Sequence, residues 1–484
     1  MFKTIGRAIT FPFRKTPWWG YLAILAVLGW FGRNILLIGA TILAFHPVPI
    51  PPLFQGEPES ITEARLQDLE HFDHVRRKER SLTDAARIEF RAGMDALGAR
   101  VDTLTDAEFI LELARLQATI DNGHSNGSAT RMVEGIGRLP IRAAWFGDEL
   151  RILRALDGYE DLLGTRILTF NGQSAQSTAQ AFRTAFGGND ALFRSFNPVL
   201  LETPAFLEAV GFTENTATTT LTIERANGDI DTVTLPTQPI AADASRVYSG
   251  DLAQPWYRES VAWIAFEPPA GRSGQTFLAR PDNSYWIDTI PEQDGLYISL
   301  RQNLDDESGE SLSEFAERAI ATVAENRPRI VIVDQRFNGG GDFTRTAELM
   351  RVLANHMDEN GRVYLLVSGN TFSAGIVNLA FAEEAAPDRT YIVGEPIGDR
   401  LQFWAEGWAF SLPNSGFRAR FSTGFYDLQN GCEGVFICHW GSLHIMPVLV
   451  EDLDIDIPAP MTFEAYASGR DPAMEAILAV EASR

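Results

Sequence analysis

The chain has 484 residues, with 41 Lys and Arg against 64 Asp and Glu, a formal net charge of −23. Hydrophobic residues make up 45% and charged residues 22%, which suits two or three domains with substantial cores. Residues 1–55 carry five basic side chains (Lys3, Arg7, Arg14, Lys15, Arg33) and no acid, leaving 36 of the 41 basic residues and all 64 acids in the rest, a net of −28. Such a surface repels a phosphate backbone, so nucleic acid is excluded as a partner.

From Trp18 to Phe45 only Arg33 and Asn34 interrupt an apolar run. As a helix it would reach about 42 Å against a hydrocarbon core of about 30 Å, which lets Arg33 snorkel at one end. A buried helix or a cleaved signal peptide would read similarly, but no small-residue cleavage site follows, and "HPVPIPP" reads as a stiff stalk. The expectation is one retained transmembrane helix. Four basic residues precede it and none follows closely, so the bulk of the chain is expected outside the cytoplasm, on the periplasmic side.

Next come three helical stretches. "SITEARLQDLEHFDHVRRKE" opens on a capping Ser60, a second runs from about Leu82 to Ala99, and "LTDAEFILELARLQATI" starts at a Thr or Asp cap. His71 and His74 lie among charges, the pattern of a solvated face. The third helix ends in the Gly-punctuated turn "DNGHSNGS", residues 121–128. From about Gly137 the period becomes that of strands: "LPIRAAWFGDELRILRAL" reads as two strands around a turn, and "TATTTLTIERANGDIDTVTLPT" as a hairpin turning at Asn227-Gly228. Residues 240–290 are irregular and rich in Trp, Tyr and Pro. From 295 onward strands and helices alternate, and near-continuous apolar strands imply a parallel sheet covered by helices.

Three features in that last region carry chemistry. The loop "DQRFNGGGDF", Asp334 to Phe343, puts three glycines at the carboxyl end of a buried strand, where ligands bind in open α/β sheets. It matches no phosphate-loop pattern, and it fits either a tight turn or an oxyanion site. Ser373, one strand later in "NTFSAG", fits a helix cap or a nucleophile, the latter with oxyanion donors from the N–H of Ala374 and of Gly340 or Gly341. A nucleophilic serine needs a base, and His124 occupies a Gly-flanked turn. Cys432 and Cys438 are the only cysteines, spaced for a small disulfide-closed loop, with free thiols as the alternative; His439 beside them is thin support for a metal, and none is expected.

Taken together and in order, "DNGHSN", "VIVDQRFNGGGDF", "TFSAG", "GEPIG", "LPNSG" and the closing "YASGRDPAMEAIL" resemble the carboxyl-terminal processing (tail-specific) serine peptidases, in particular their tricorn-like Ser/His branch. The likeness covers roughly residues 60–480. It implies Ser373 as nucleophile, His124 as base, and Gly340 and Gly341 with Ala374 around the oxyanion. The family's Asp-Gly-His-Thr is here Asn122-Gly123-His124-Ser125. The lysine-based branch would need a Lys in "GEPIGDRLQFW", where none stands. For the acid, Glu451 is nearest to the family's pattern, with Glu406 and Asp427 as rivals. The resemblance implies an α/β chain with a crotonase-like (ClpP-like) β/α core at 241–484. It further implies a PDZ-like β module at 137–240, a helical cap at 56–136, and the anchor and stalk at 1–55. The expected function is a membrane-anchored extracytoplasmic serine endopeptidase with no cofactor, acting on peptides or proteins. Two alternatives stay open. One is a non-catalytic ligand-binding protein on the same fold, with aromatics between Trp256 and Trp286, and Trp404 with Trp408, lining an apolar pocket. The other is a tethered scaffold that binds peptide tails through the β module alone.

Overall fold

The computed structural model describes residues 56–484 except 128–131, 133–134, 240–262, 270, 272–273, 281, 307–308, 433–437 and 439–445, with scattered positions from Gly29 to Pro49. The chain divides into two compact units, Met1–Val48 and Pro49–Arg484. Among the described residues no helix is long and apolar enough to cross a membrane. The expected transmembrane helix, Trp18 to Phe45, lies largely outside the described residues.

Three helices open the second unit: α1 (Ile61–Lys78), α2 (Asp84–Gly98) and α3 (Asp106–Ala118). Their starts follow local chemistry. The Ser60 hydroxyl accepts the N–H of Glu63, and Thr105 forms a reciprocal capping box with Glu108. The expectation of a solvated face for His71 is not met. Its ring is 5% exposed and stands edge-on to Phe410 at 5.1 Å, because α1 turns that face onto a hairpin formed some 330 residues later.

An antiparallel sheet follows, with β1 (Ile141–Phe146), β2 (Glu149–Ala155), β3 (Arg166–Phe170), β5 (Thr218–Glu224) and β6 (Ile230–Pro236) in that order. The short β4 (Gln173–Ser174) pairs with β3, and β7 (Ile264–Ala265) pairs with β2. The β5–β6 hairpin turns at Asn227-Gly228, where Gly228 has φ +86°. Helix α4 (Asp190–Phe196) lies in the connection before β5.

The second sheet runs β17–β12–β11–β10–β9–β8, and all its pairs are parallel except β8–β9. Its strands are β8 (Tyr285–Ile290), β9 (Gly295–Leu300), β10 (Ile330–Asp334), β11 (Arg362–Val367), β12 (Thr390–Gly394) and β17 (Ile457–Pro458). Val331, Val333 and Leu365 pack toward α5 (Leu312–Asn326), α6 (Ala347–His356) and α7 (Ala374–Ala385), while Ile332, Tyr364 and Leu366 pack toward α8 (Pro472–Ala482). Burial on both faces explains the unbroken apolar strands. Two short hairpin ribbons complete the unit, β13 (Gln402–Ala405) with β16 (Gly424–Asp427) and β14 (Trp408–Ser411) with β15 (Arg418–Phe421). Phe410, Phe417 and Phe421 of the second ribbon share one core with α1–α3 and the first sheet. Cys432 and Cys438 are disulfide-bonded, with Cα atoms 5.7 Å apart.

One half-buried carboxyl gives a stability test. Burial, then Asp456 and Asp452, push Glu383 on α7 up to about 7. A folded-state value above the unfolded one means its contribution is fully present below about pH 4.5 and lost as pH rises through about 7. Glu383→Gln should therefore match the wild type in thermal midpoint near pH 4 and exceed it increasingly up to pH 8, as followed by calorimetry.

Candidate active site

Ser373 ends the loop after β11 and begins α7. Its backbone lies at φ +53° and ψ −120°, a conformation that costs a non-glycine residue about 1–3 kcal/mol. Its side chain makes no capping bond to the helix. The surroundings hold this turn in place. Phe372 N–H donates to Asn338 O at 2.9 Å, and the Thr371 hydroxyl donates to Gln335 O at 2.9 Å. The half-buried hydroxyl of Ser373 is thereby presented at the carboxyl end of the parallel sheet, above the N–H groups of α7.

The glycine loop lies against it. Gly340 and Gly341 have φ +112° and +130°, values that favour glycine. A Cβ on Gly340 would fall 2.7 Å from Ser373 Cβ and 3.3 Å from Ala374 N. The Gly340 N–H already donates to Asn338 Oδ1 at 3.0 Å, whereas the N–H groups of Gly341 and Ala374 make no hydrogen bond among the described residues. Beneath the loop, Asn338 Nδ2 donates to Asn303 Oδ1 at 2.8 Å, and Asn378 of α7 donates to Gln335 Oε1 at 2.9 Å. All four side chains are fully buried. This amide cluster ties the loop to the helix that carries Ser373, though Gln335 Nε2 has no partner among the described residues.

His124 packs against the residue before Ser373. Its ring stacks on Phe372, the residue before Ser373, with centroids 4.2 Å apart, and lies nearly parallel to Phe403 at 5.3 Å. The loop that carries it is pinned at several points. The fully buried Glu79 carboxylate accepts Ser125 Oγ at 2.7 Å and the Ser422 N–H at 2.8 Å, and Gln117 Nε2 donates to Ser125 O at 2.5 Å. Asn122 Nδ2 donates to Trp404 O at 2.9 Å while Asn122 Oδ1 accepts Trp404 N at 3.3 Å. An aspartate could not donate there, which accounts for Asn at a position where the resemblance has Asp.

The carboxylate at His124 is Asp399, with Oδ2 3.4 Å from Nδ1 and both side chains buried. Gly123 makes room for it, since a Cβ there would meet Asp399 Oδ2 at 2.8 Å and Phe372 at 3.0 Å. Burial pushes the His124 imidazole down; Asp399 opposes this, Arg420 adds to it, and Glu406 opposes it more weakly. The ring is accordingly neutral at pH 7, as a base requires. Among the described residues neither ring nitrogen makes a hydrogen bond, the 3.4 Å approach to Asp399 included, and such bonds tighten in the substrate complex.

Of the acids read from the sequence, none is brought to His124 as Asp399 is. Glu451 is exposed, with its backbone carbonyl accepting from Gln429. Asp427 accepts from Gln402 and Asn430. Glu406 accepts the Tyr426 hydroxyl at 2.6 Å and acts on His124 only through its field. Asp399 had one sequence signal: it stands within "GEPIGDRLQFW", the segment in which the lysine branch carries its base. Among the described residues no group of three or more His, Cys, Asp or Glu could hold a metal ion. The expected aromatic pocket is met only at Phe277, which lines a cavity: Trp256 lies outside the described residues, Trp286 is buried beneath Arg301, and Trp404 packs on Phe425. A cavity of about 530 Å³ does open beside the loop before Ser373.

No protein-family model matches the chain, and no curated protein matches it. Among solved structures it is similar to mature CPAF, at 12% identity and TM-score 0.53 over 87% of this chain and 97% of that one. Mature CPAF complexed with lactacystin gives 13% identity and TM-score 0.51 over 87% and 98%. The photosystem II D1 C-terminal processing protease aligns at 13% identity and TM-score 0.31 over 86% and 98%. The chain thus has the mixed α/β fold of CPAF.

Proposed function

We propose that the protein is a serine peptidase of the carboxyl-terminal processing type, with Ser373 as nucleophile and His124 as general base. The observation that carries this is the strained, uncapped Ser373 set against a glycine loop, with a buried histidine stacked on the residue before it. Ser373 Oγ attacks the scissile carbonyl carbon as His124 Nε2 takes its proton. That proton then goes to the leaving amine, and water repeats the sequence to release the acyl group. Asp399 keeps the proton of the neutral ring on Nδ1 and stabilises the imidazolium. The N–H groups of Ala374 and Gly341 face the developing oxyanion, with the positive end of α7 behind them. Gly340 acts by leaving space for Ser373.

The finer reading follows the resemblance. Residues 241–484 serve as a crotonase-like core, 137–240 as a PDZ-like module that adds a peptide as an edge strand, and 56–136 as the cap that presents His124. We further place the protein on a membrane through residues 18–45, with its bulk outside the cytoplasm. The basic residues before Trp18 support that orientation, and the Cys432–Cys438 disulfide suits an oxidising compartment. A non-catalytic binding protein is the second reading, favoured by the cavity beside the Ser373 loop.

Serine-directed fluorophosphonate labelling of the full-length chain separates the two. Mass spectrometry should find a single adduct on Ser373, lost in His124→Ala. Absence of any adduct on a folded protein would favour the binding protein.

A further inference from the structure

The cavity beside the Ser373 loop lies between the two sheets. Its floor is the carboxyl ends of three parallel strands: Arg336 and Phe337 after β10, Ser368–Asn370 after β11, and Glu395 after β12. Its opposite wall comes from Ala144 and Trp145 of β1 and from α4. The two sides touch, because a Cβ on Gly369 would fall 2.9 Å from Ala191 O and 3.2 Å from Ser195 Oγ. From Asn370 it is three residues along the chain to Ser373. The loop that ends at Ser373 thus forms part of the cavity floor.

The chemistry of the lining narrows what enters. At about 530 Å³ it has the size of an ordinary ligand pocket, far more than a methyl group needs. Its charged groups are already partnered within the protein. Arg336 is held by Asp334 and by Asp471, with Nη2 to Asp471 Oδ2 at 2.8 Å and its guanidinium 4.2 Å over Phe277. Arg194 pairs with Asp148 at 3.0 Å, and Asp190 with Arg183 at 2.9 Å. Burial pushes the Glu395 carboxyl up, while a Met461 N–H bond and the fields of Arg336 and Arg194 pull it down. A basic side chain would give up its hydration against arginines already paired and an Asp190 already held by Arg183. An acidic one would meet Glu395 and an Arg336 whose carboxylate partners are in place. Trp145, Phe277 and Phe337 supply aromatic surface to an uncharged occupant.

We infer that this cavity is a specificity subsite that admits a large uncharged side chain of the substrate, aromatic or long aliphatic, near the scissile bond. The inference rests on the peptidase reading, and its test is chosen to stand without cleavage. Full-length Ser373→Ala protein would be titrated by anisotropy with fluorescent peptides that are uncharged apart from one varied position, Phe or Leu there against Ala, Lys or Glu. The Phe and Leu peptides should bind at least about 10-fold tighter. Adding Ala144→Trp, which fills the cavity, should erase that preference; Ala191→Phe serves as the second filling variant where Ala144→Trp does not fold. In the enzyme with Ser373 intact, the same fillings should turn the cleavage profile toward small side chains. Equal affinities, a preference for Lys or Glu, or a preference unchanged by a folded filling variant would overturn the inference. Selective binding without any cleavage would sustain the subsite and remove the peptidase reading alone.

Discussion

Ser373→Ala should abolish peptide cleavage, by about 10⁴- to 10⁶-fold in single-turnover rate, with the fold intact. The magnitude follows from the role assigned to the hydroxyl: without Oγ no acyl-enzyme forms, and only binding and oxyanion contacts remain. The stability part follows from the backbone. Ser373 makes no capping bond, so its loss should change unfolding free energy by under about 0.5 kcal/mol. A stronger form of the test uses glycine, which accepts φ +53° without strain. Ser373→Gly should be equally inactive yet more stable than the wild type by about 1 kcal/mol, read from the denaturant midpoint. Cleavage that survives either substitution would place the nucleophile elsewhere.

Asp399→Asn should lower kcat/KM by about 10³- to 10⁴-fold and move its acid limb to lower pH. In the wild type, burial already holds His124 below 6.5, so the acid limb should have its midpoint under that value. Asp399 is the largest influence that raises it. Removing that charge lowers the proton affinity further, so the ring stays neutral to a more acid pH while losing its orientation and its imidazolium partner. The same shift acts on stability: with a folded value below the unfolded one, the contribution of His124 is present above about pH 6.5 and lost as pH falls through the folded value. Glu451→Gln, made in parallel, should leave both the height and the limb of the profile unchanged. A profile altered by Glu451→Gln and untouched by Asp399→Asn would return the orienting role to Glu451.

A change of activity alone would not establish Asp399 as a positioning residue, since any disturbance of a buried loop could produce one. The direction of the limb is the discriminating readout. General loosening of the loop would admit water to His124, relieve its burial and raise the limb toward 6.5, opposite to the loss of a carboxylate partner. Asp399→Glu should recover part of the height and keep the limb near its wild-type position.

Much of the local structure is legible in the residues themselves. Ser60 and Thr105 start helices because a hydroxyl satisfies a free N–H two or three residues on, and Asn227-Gly228 turns a hairpin because both tolerate the tight backbone. The apolar runs at 330–334 and 362–367 could only be buried on both faces. Ser373, His124 and the glycine loop stood out by residue type and order, since each motif is a short contiguous string. What pairs with what across the fold was not legible. Asp399 meets a histidine 275 positions earlier, and only packing distinguishes it from Glu451, Glu406 and Asp427. That Asn122 is bound to β13, that Gly340 spends its N–H on Asn338, and that a hairpin at 408–421 closes the core of the first helices are likewise products of tertiary contact. Local propensity sets the elements because its partners lie within a few residues. The site is assembled from groups far apart in the chain, and their proximity exists only once the two sheets and the cap have packed.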